Sequence, residues 1–126
     1  MISKIRSSKA AFTLVEIMIV VAIIGLLAAL AIPGFVKARK QSQGKRIVND
    51  ARLMDGAIDQ WALENGKKDG DAVVTSEAAT YLKSGWKDTD LLNNAYTVNA
   101  VGTNQVQINT ATKTALANVG IDWGIY

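Results

Sequence analysis

The chain has 126 residues, 49% of them hydrophobic, with 14 basic and 11 acidic side chains and neither cysteine nor histidine. The absence of cysteine excludes disulfides, and the absence of histidine removes the commonest metal ligand and general base. Lys4, Arg6 and Lys9 carry three of the 14 basic charges, and the remaining 11 balance the 11 acids, so the pI near 9.3 reflects the first nine residues rather than a nucleic-acid-binding domain.

A long apolar run begins at Phe12. Residues 12–36 include only two strongly polar side chains, Thr13 and Glu16. At about 1.5 Å per helical residue the run spans roughly 37 Å, more than the hydrocarbon core of a bilayer. We therefore predict a transmembrane helix over residues 12–36, behind a basic leader over residues 1–11. A cleavable secretory signal is the alternative, because it too combines a basic start with an apolar run.

Glu16 is the single carboxylate within this run. A charge inside a membrane-spanning helix is energetically expensive, so it is expected either to pair with a cation or to lie at the level of the headgroups. Farther along, Gly25 and Ala29 are four residues apart, a spacing that lets two helices approach closely. Pro33 lacks the N–H that would bond to the Ala29 carbonyl, which predicts a helix kink at Pro33.

The helical period resumes beyond the proline. An apolar stripe with spacings of four, three, four and three predicts that one face of the helix is buried and that the helix continues to about Glu64, before the stop signal of Asn65 and Gly66. The stripe consists of Ile47, Ala51, Met54, Ile58 and Trp61. Residues 37–126 are thus expected to hold the amphipathic second half of the helix and a small globular domain.

The C-terminal half predicts a few short elements. Thr75 or Ser76 is a candidate cap of a short helix that ends at Leu82. Residues 95–101 and 105–110 alternate as strands do, and the three residues between them predict a hairpin. Residues 114–126 fit either a further strand or a segment lying across the sheet. A long helix packed on a small antiparallel sheet is an α+β fold.

The string from Lys9 to Pro33, KAAFTLVEIMIVVAIIGLLAALAIP, resembles the N-terminal signal of type IV prepilins and type II secretion pseudopilins. The resemblance implies cleavage between Ala11 and Phe12, N-methylation of Phe12, and pairing of Glu16 with the N-terminal amine of a neighbouring subunit. It also implies a bend at Pro33 and a pilin-like fold, with a long kinked N-terminal helix packed on an antiparallel sheet. Ala11 stands where the family usually has glycine.

The resemblance further implies a structural subunit of a pilus or pseudopilus filament. Its expected partners are further copies, other pilin-like subunits, a prepilin peptidase, an inner-membrane assembly platform and membrane lipid. The chain would first cross the inner membrane once, with its C-terminal domain periplasmic. The alternative from another functional class is a signal-anchored, single-span membrane protein with a small extracytoplasmic binding domain.

Neither an active site nor a metal or cofactor site is predicted. The chain has no histidine or cysteine and no glycine-rich phosphate loop. Residues 90–96 resemble a degenerate form of the D-P-W-G-N-P-Y segment of major pseudopilins, but Asp122 is the only acid beyond Asp90, so a calcium cage is not expected. The basic residues between Lys37 and Arg46 adjoin the apolar run, which favours lipid phosphates over nucleic acid as their partner.

Overall fold

The computed structural model describes residues 12–126, which divide after Lys37 into two compact units. Helix α1, Leu14–Glu64, supplies 51 residues and runs through both units. The second unit adds helix α2 (Thr75–Ala78), a 3-10 turn (Ala79–Tyr81), strands β1 (Thr97–Val98) and β2 (Val106–Gln107), and helix α3 (Thr110–Ala115). The architecture is α+β, as predicted.

The first unit is the apolar part of α1. The most apolar stretch of 18 residues in this part has a mean hydropathy of 2.9, and none of its residues is buried. This stretch is long and apolar enough to cross a membrane. Pro33 lies inside α1, which continues as a helix on both sides of it. A bend at this position therefore stays a prediction.

The second unit has its core against one face of α1. All five residues of the predicted stripe are at most 1% exposed, which confirms that face as the buried one. Apolar residues from the rest of the unit cover it, namely Ala78, Tyr96, Val101, Val106, Ile108 and Leu116. Trp61 also donates its indole N–H to the Glu77 carboxylate at 2.8 Å, which ties α2 to α1.

Helix α1 ends where the sequence predicted. Gly66 adopts a left-handed conformation with φ +61°, which glycine enters without steric cost. The N–H of Lys67 then donates to the carbonyl of Ala62 at 2.8 Å. This bond pairs one of the carbonyl groups that the end of a helix leaves without a partner.

The hairpin is antiparallel, but its strands are shorter than predicted. Thr97 lies opposite Gln107 and Val98 opposite Val106. The N–H of Asn99 donates to Gln105 at 2.8 Å, so the connection comprises residues 100–104 rather than three residues. Before β1, the N–H of Tyr96 donates to the carbonyl of Asp88. The sequence did not predict that the segment around Asp88 pairs with the start of the hairpin.

Two helix predictions need correction. Helix α2 starts at Thr75, but neither Thr75 nor Ser76 caps it, since Val74 holds the cap position without a side-chain bond. Helix α3 was not predicted. It begins at Thr110, which the sequence had placed at the end of the second strand. Asn109 caps it by accepting the N–H of Ala111 at 2.9 Å.

The C-terminal residue lies beside the end of β2. The N–H of Ile108 donates to the carbonyl of Tyr126 at 3.0 Å. The last residues form no strand, which excludes the first of the two sequence-based options. Their contacts with Gln41 and Gly44 place them against α1.

Candidate assembly segment at the head of the helix

Glu16 and Thr13 form a reciprocal cap at the start of α1. The N–H of Glu16 donates to Thr13 Oγ1 at 3.2 Å, and the N–H of Thr13 donates to Glu16 Oε2 at 3.3 Å. This capping box satisfies two of the N–H groups that a helix start leaves without partners. Sequence analysis missed this role, although the T-x-x-E spacing before an apolar run is its signature.

The cap occupies only part of the Glu16 carboxylate. Oε2 accepts the one bond that the carboxylate receives from residues 12–126, and no ion pair within that range involves Glu16. An ionised carboxylate has two oxygens and about four acceptor sites. Glu16 can therefore keep its bond to Thr13 while Oε1 accepts from a further donor.

The predicted processing site is only partly described. Phe12 is 77% exposed, whereas Ala11 lies outside the described residues. Phe12 immediately precedes the capping residue Thr13 and is not itself part of α1. Cleavage before Phe12 and its methylation remain predictions.

The predicted packing residues lie uncovered on α1. Gly25, Ala29 and Pro33 are all exposed, and a Cβ built on Gly25 would meet no atom within 4 Å. Large apolar side chains are exposed all around this part of the helix, from Phe12 through Ile24 and Leu30 to Val36. An apolar surface on every side of a helix is typical of contact with lipid or with other helices.

Asp90 forms hydrogen bonds within the fold. The residue is 8% exposed, and its carboxylate accepts the N–H groups of Leu92 and Asn94 at 2.8 and 3.1 Å, and the hydroxyl of Thr112. Among the described residues, no group of three or more potential metal-ligating side chains comes together.

The segment of residues 90–96 has a conformation that explains one of its departures from the pseudopilin pattern. Asn93, which stands where glycine is usual, has φ +62°. Asparagine tolerates this left-handed conformation better than other residues with a side chain. At the end of the segment, burial together with the nearby Asp50 and Asp90 raises the pKa of Tyr96, whose buried hydroxyl has no hydrogen-bond partner among residues 12–126.

The chain is similar in sequence to known proteins that share this N-terminal segment. Residues 6–32 match the family profile described as the prokaryotic N-terminal methylation motif. The chain is 36% identical over 98 residues to the type IV major fimbrial protein FimA of Dichelobacter nodosus, covering 78% of this chain and 56% of that protein. It is 35% identical over 106 residues to the fimbrial protein EcpC of Eikenella corrodens, covering 84% of this chain and 65% of EcpC. The chain is thus similar in sequence to type IV fimbrial proteins.

A secretion-system relative matches over a shorter range. The type II secretion system core protein G of Klebsiella pneumoniae is 36% identical over 56 residues, covering 44% of this pilin-like chain and 40% of that protein. The resemblance to type IV pilins and type II secretion pseudopilins is thus confirmed. The chain spans less than two thirds of the length of each of these three relatives. No solved structure matches it.

The names of these relatives are those of components of fimbriae and of a secretion system, not of enzymes. This agrees with the prediction that the pilin-like chain is not a catalyst.

Proposed function

We propose that the chain is a structural subunit of a type IV pilus or a type II secretion pseudopilus. In this proposal it is inserted in the inner membrane as a prepilin with its C-terminal domain periplasmic, and it is cleaved and methylated before assembly. The observation that carries the proposal is an exposed apolar helix, unburied over its most hydrophobic window, with one carboxylate at its head.

Glu16 supplies the specific contact between subunits. Cleavage behind Ala11 creates a new α-amino group on Phe12, one helical turn before Glu16. Oε1 of Glu16 accepts from the amine of a neighbouring copy while Oε2 keeps its bond to Thr13. Because charges attract far more strongly in apolar surroundings than in water, such a pair fixes the axial register of adjacent helices.

The remaining predicted residues assist the packing of these helices. Gly25 and Ala29 allow close approach because glycine has no side chain and alanine has only a methyl group. Pro33 supplies the weak point at which α1 bends as neighbours pack around it. The inner-membrane assembly platform and the prepilin peptidase are the partners that this route requires.

The processing step is tested by intact-mass and N-terminal peptide mass spectrometry on the chain purified from membranes of a host with a prepilin peptidase. We expect a mature chain that starts at N-methylated Phe12. An intact Met1, or a cut well beyond Pro33, contradicts the proposal. A host without the peptidase is the control, and there the leader should remain.

The assembly step is tested by electron microscopy and shearing of cells that express the chain. Many copies in a filament support the structural role. A chain that stays as isolated membrane-anchored molecules, and whose function tolerates loss of Glu16, instead fits the alternative of a signal-anchored binding protein.

A further inference from the structure

The charged residues of α1 in the second unit differ in whether the fold uses them. All four acids are engaged: Asp50 pairs with Lys87 at 3.0 Å, Asp55 and Asp59 accept from Gln105 at 2.8 and 2.7 Å, and Glu64 accepts the hydroxyl of Tyr81. These contacts turn the negative charges of α1 toward the globular domain.

The basic residues at the start of the same unit have no such partners. Arg39, Lys40, Lys45 and Arg46, here called the basic ring, form no hydrogen bond or ion pair with residues 12–126. Residues 1–11 contain no carboxylate that could pair with them. Lys45 borders a cavity that Asp122 also lines, but the two form no ion pair. The basic ring is therefore available to an external anion.

The four cations surround the helix instead of lining one face. At about 100° per residue, Arg39 and Arg46 share one direction, while Lys40 and Lys45 point in two others. All but the half-buried Lys40 are exposed. A rod-shaped nucleic acid would contact cations on a single face. A layer of anions that encircles the helix would contact all of them.

The position of the ring along α1 matches such a layer. The apolar run ends at Val36, and Arg39 and Lys40 follow it by about 5 to 6 Å of helix. The headgroup region adds roughly 5 to 7 Å on each side of the hydrocarbon core. Lys45 and Arg46 lie farther out, and both are exposed. Long side chains of this kind can reach back toward the interface from the ends of membrane helices.

We propose that the basic ring binds the phosphate groups of anionic phospholipids. This inference rests on the proposed membrane anchoring of residues 12–36 and adds a lipid preference to it. The ring holds the end of the apolar run at the membrane surface, and it must exchange lipid phosphates for other contacts when the subunit leaves the bilayer.

The experiment measures lipid selectivity in vesicles that contain the full chain purified from membranes. Spin-labelled phosphatidylglycerol and phosphatidylcholine are compared by the fraction of each that the protein immobilises. We expect a severalfold preference for phosphatidylglycerol, of the order that a few cations at the membrane surface supply, and a decrease of this preference with added salt.

Two variants of equal charge change are compared with the unmodified chain. The ring variant carries Arg39→Gln, Lys40→Gln, Lys45→Gln and Arg46→Gln. The control variant carries Lys67→Gln, Lys68→Gln, Lys83→Gln and Lys113→Gln in the globular domain. The preference should disappear in the ring variant and persist in the control. An equal preference for both lipids in the unmodified chain, or a preference that survives in the ring variant, overturns the proposal.

Retention of the chain in the vesicles distinguishes a failure of membrane anchoring from a failure of lipid binding by the basic ring. A chain that an alkaline wash removes from the vesicles contradicts membrane anchoring, and the lipid proposal with it. A chain that is retained, but shows no preference between the two lipids, contradicts only the lipid proposal. Ring-dependent binding of duplex DNA in detergent, without lipid selectivity, would reassign the ring to nucleic acid.

Discussion

Gly44 lies directly beneath Ile121, and their contact leaves no room for a side chain at position 44. A Cβ built on Gly44 would lie 2.8 Å from Cγ1 of Ile121, with the end of that side chain closer still. One turn earlier, Gln41 donates its side-chain N–H to the carbonyl of Val119 at 2.7 Å. These two contacts fix the C-terminal segment to α1.

The substitution Gly44→Ala should therefore destabilise the globular unit. We expect a loss of about 1 to 3 kcal/mol from the overlap, partly offset by about 1 kcal/mol from the better helix propensity of alanine. Denaturant unfolding of the detergent-solubilised chain measures this through tryptophan fluorescence, because all three tryptophans lie beyond residue 60.

Gly56→Ala is the matched control for this prediction. Gly56 is an exposed glycine of the same helix, and no atom lies within 4 Å of a Cβ built on it. Alanine there should stabilise the chain by about 0.5 to 1 kcal/mol. Similar effects of both substitutions would contradict the predicted overlap with Ile121.

Gln105 holds two carboxylates of α1 and is only 2% exposed. Its side-chain Nε2 donates to Asp55 and Asp59, and its side-chain Oε1 accepts the N–H of Gly102 at 3.2 Å. Gln105→Leu removes these partners together, and we expect a loss of about 2 to 4 kcal/mol in the same unfolding assay.

Gln105→Glu places a third carboxyl group between the two aspartates, and its cost should depend on pH. The two neighbouring carboxylates disfavour ionisation in the folded state, so the pKa of the new carboxyl exceeds its unfolded value of about 4.3. The stability deficit relative to the unmodified chain is then small at acidic pH and grows as the pH rises above about 4. A deficit that does not vary with pH would argue against this electrostatic cause.

Tyr96→Phe removes a buried hydroxyl that has no hydrogen-bond partner in the described part of the chain. Burying such a group costs free energy, so the variant should be as stable as the unmodified chain at pH 7, or up to about 1 kcal/mol more stable. Tyr126→Phe provides the contrast, since the Tyr126 hydroxyl donates to Asp55 at 3.2 Å. Its removal should cost up to about 1 kcal/mol.

The same tyrosine should contribute to alkaline destabilisation. Burial raises the pKa of Tyr96, and the charges of Asp50 and Asp90 raise it further. Above pH of about 10 the unfolded chain loses this proton while the folded chain retains it, so stability falls as the pH rises. Unfolding midpoints measured between pH 8 and 11 should fall less steeply in Tyr96→Phe. Identical slopes would contradict this role.

Two substitutions at the head of α1 separate charge from capping. Glu16→Gln removes the charge but keeps an acceptor for the N–H of Thr13, whereas Thr13→Ala removes the hydroxyl of the cap but keeps the charge. If the carboxylate docks onto a neighbour's amine, Glu16→Gln should abolish filaments and Thr13→Ala should leave them largely intact. Both variants should remain in the membrane. The measurements are electron microscopy of filaments and fractionation of membranes, and the opposite ranking would assign Glu16 a capping role alone.

The parts of the fold that depend on local pattern were predictable from the sequence. The stripe from Ile47 to Trp61 follows the helical period, and Gly66 marks the end of α1 because its φ is positive. The capping box of Thr13 and Glu16 is equally local, because it depends only on a T-x-x-E spacing before the apolar run.

The parts that depend on distant partners were not predictable in this way. Gln105 is buried because Asp55 and Asp59, about fifty residues earlier, accept its amide protons. The strand that was expected to reach Thr110 ends early because Asn109 caps a helix there. The sequence of that helix has no apolar periodicity from which it could have been predicted.

The first unit buries no residue, and in the part of the chain that the structure describes the core begins at Gly44. Substitutions in residues 14–37 other than Glu16 therefore remove no buried contact, whereas Thr13 and Glu16 still cap the start of α1. Substitutions beyond Gly44 act on the packed core. One continuous helix thus joins a part without a core to a part that carries one, and the apolar part could be exchanged for that of a relative without changing a buried contact of the domain behind it.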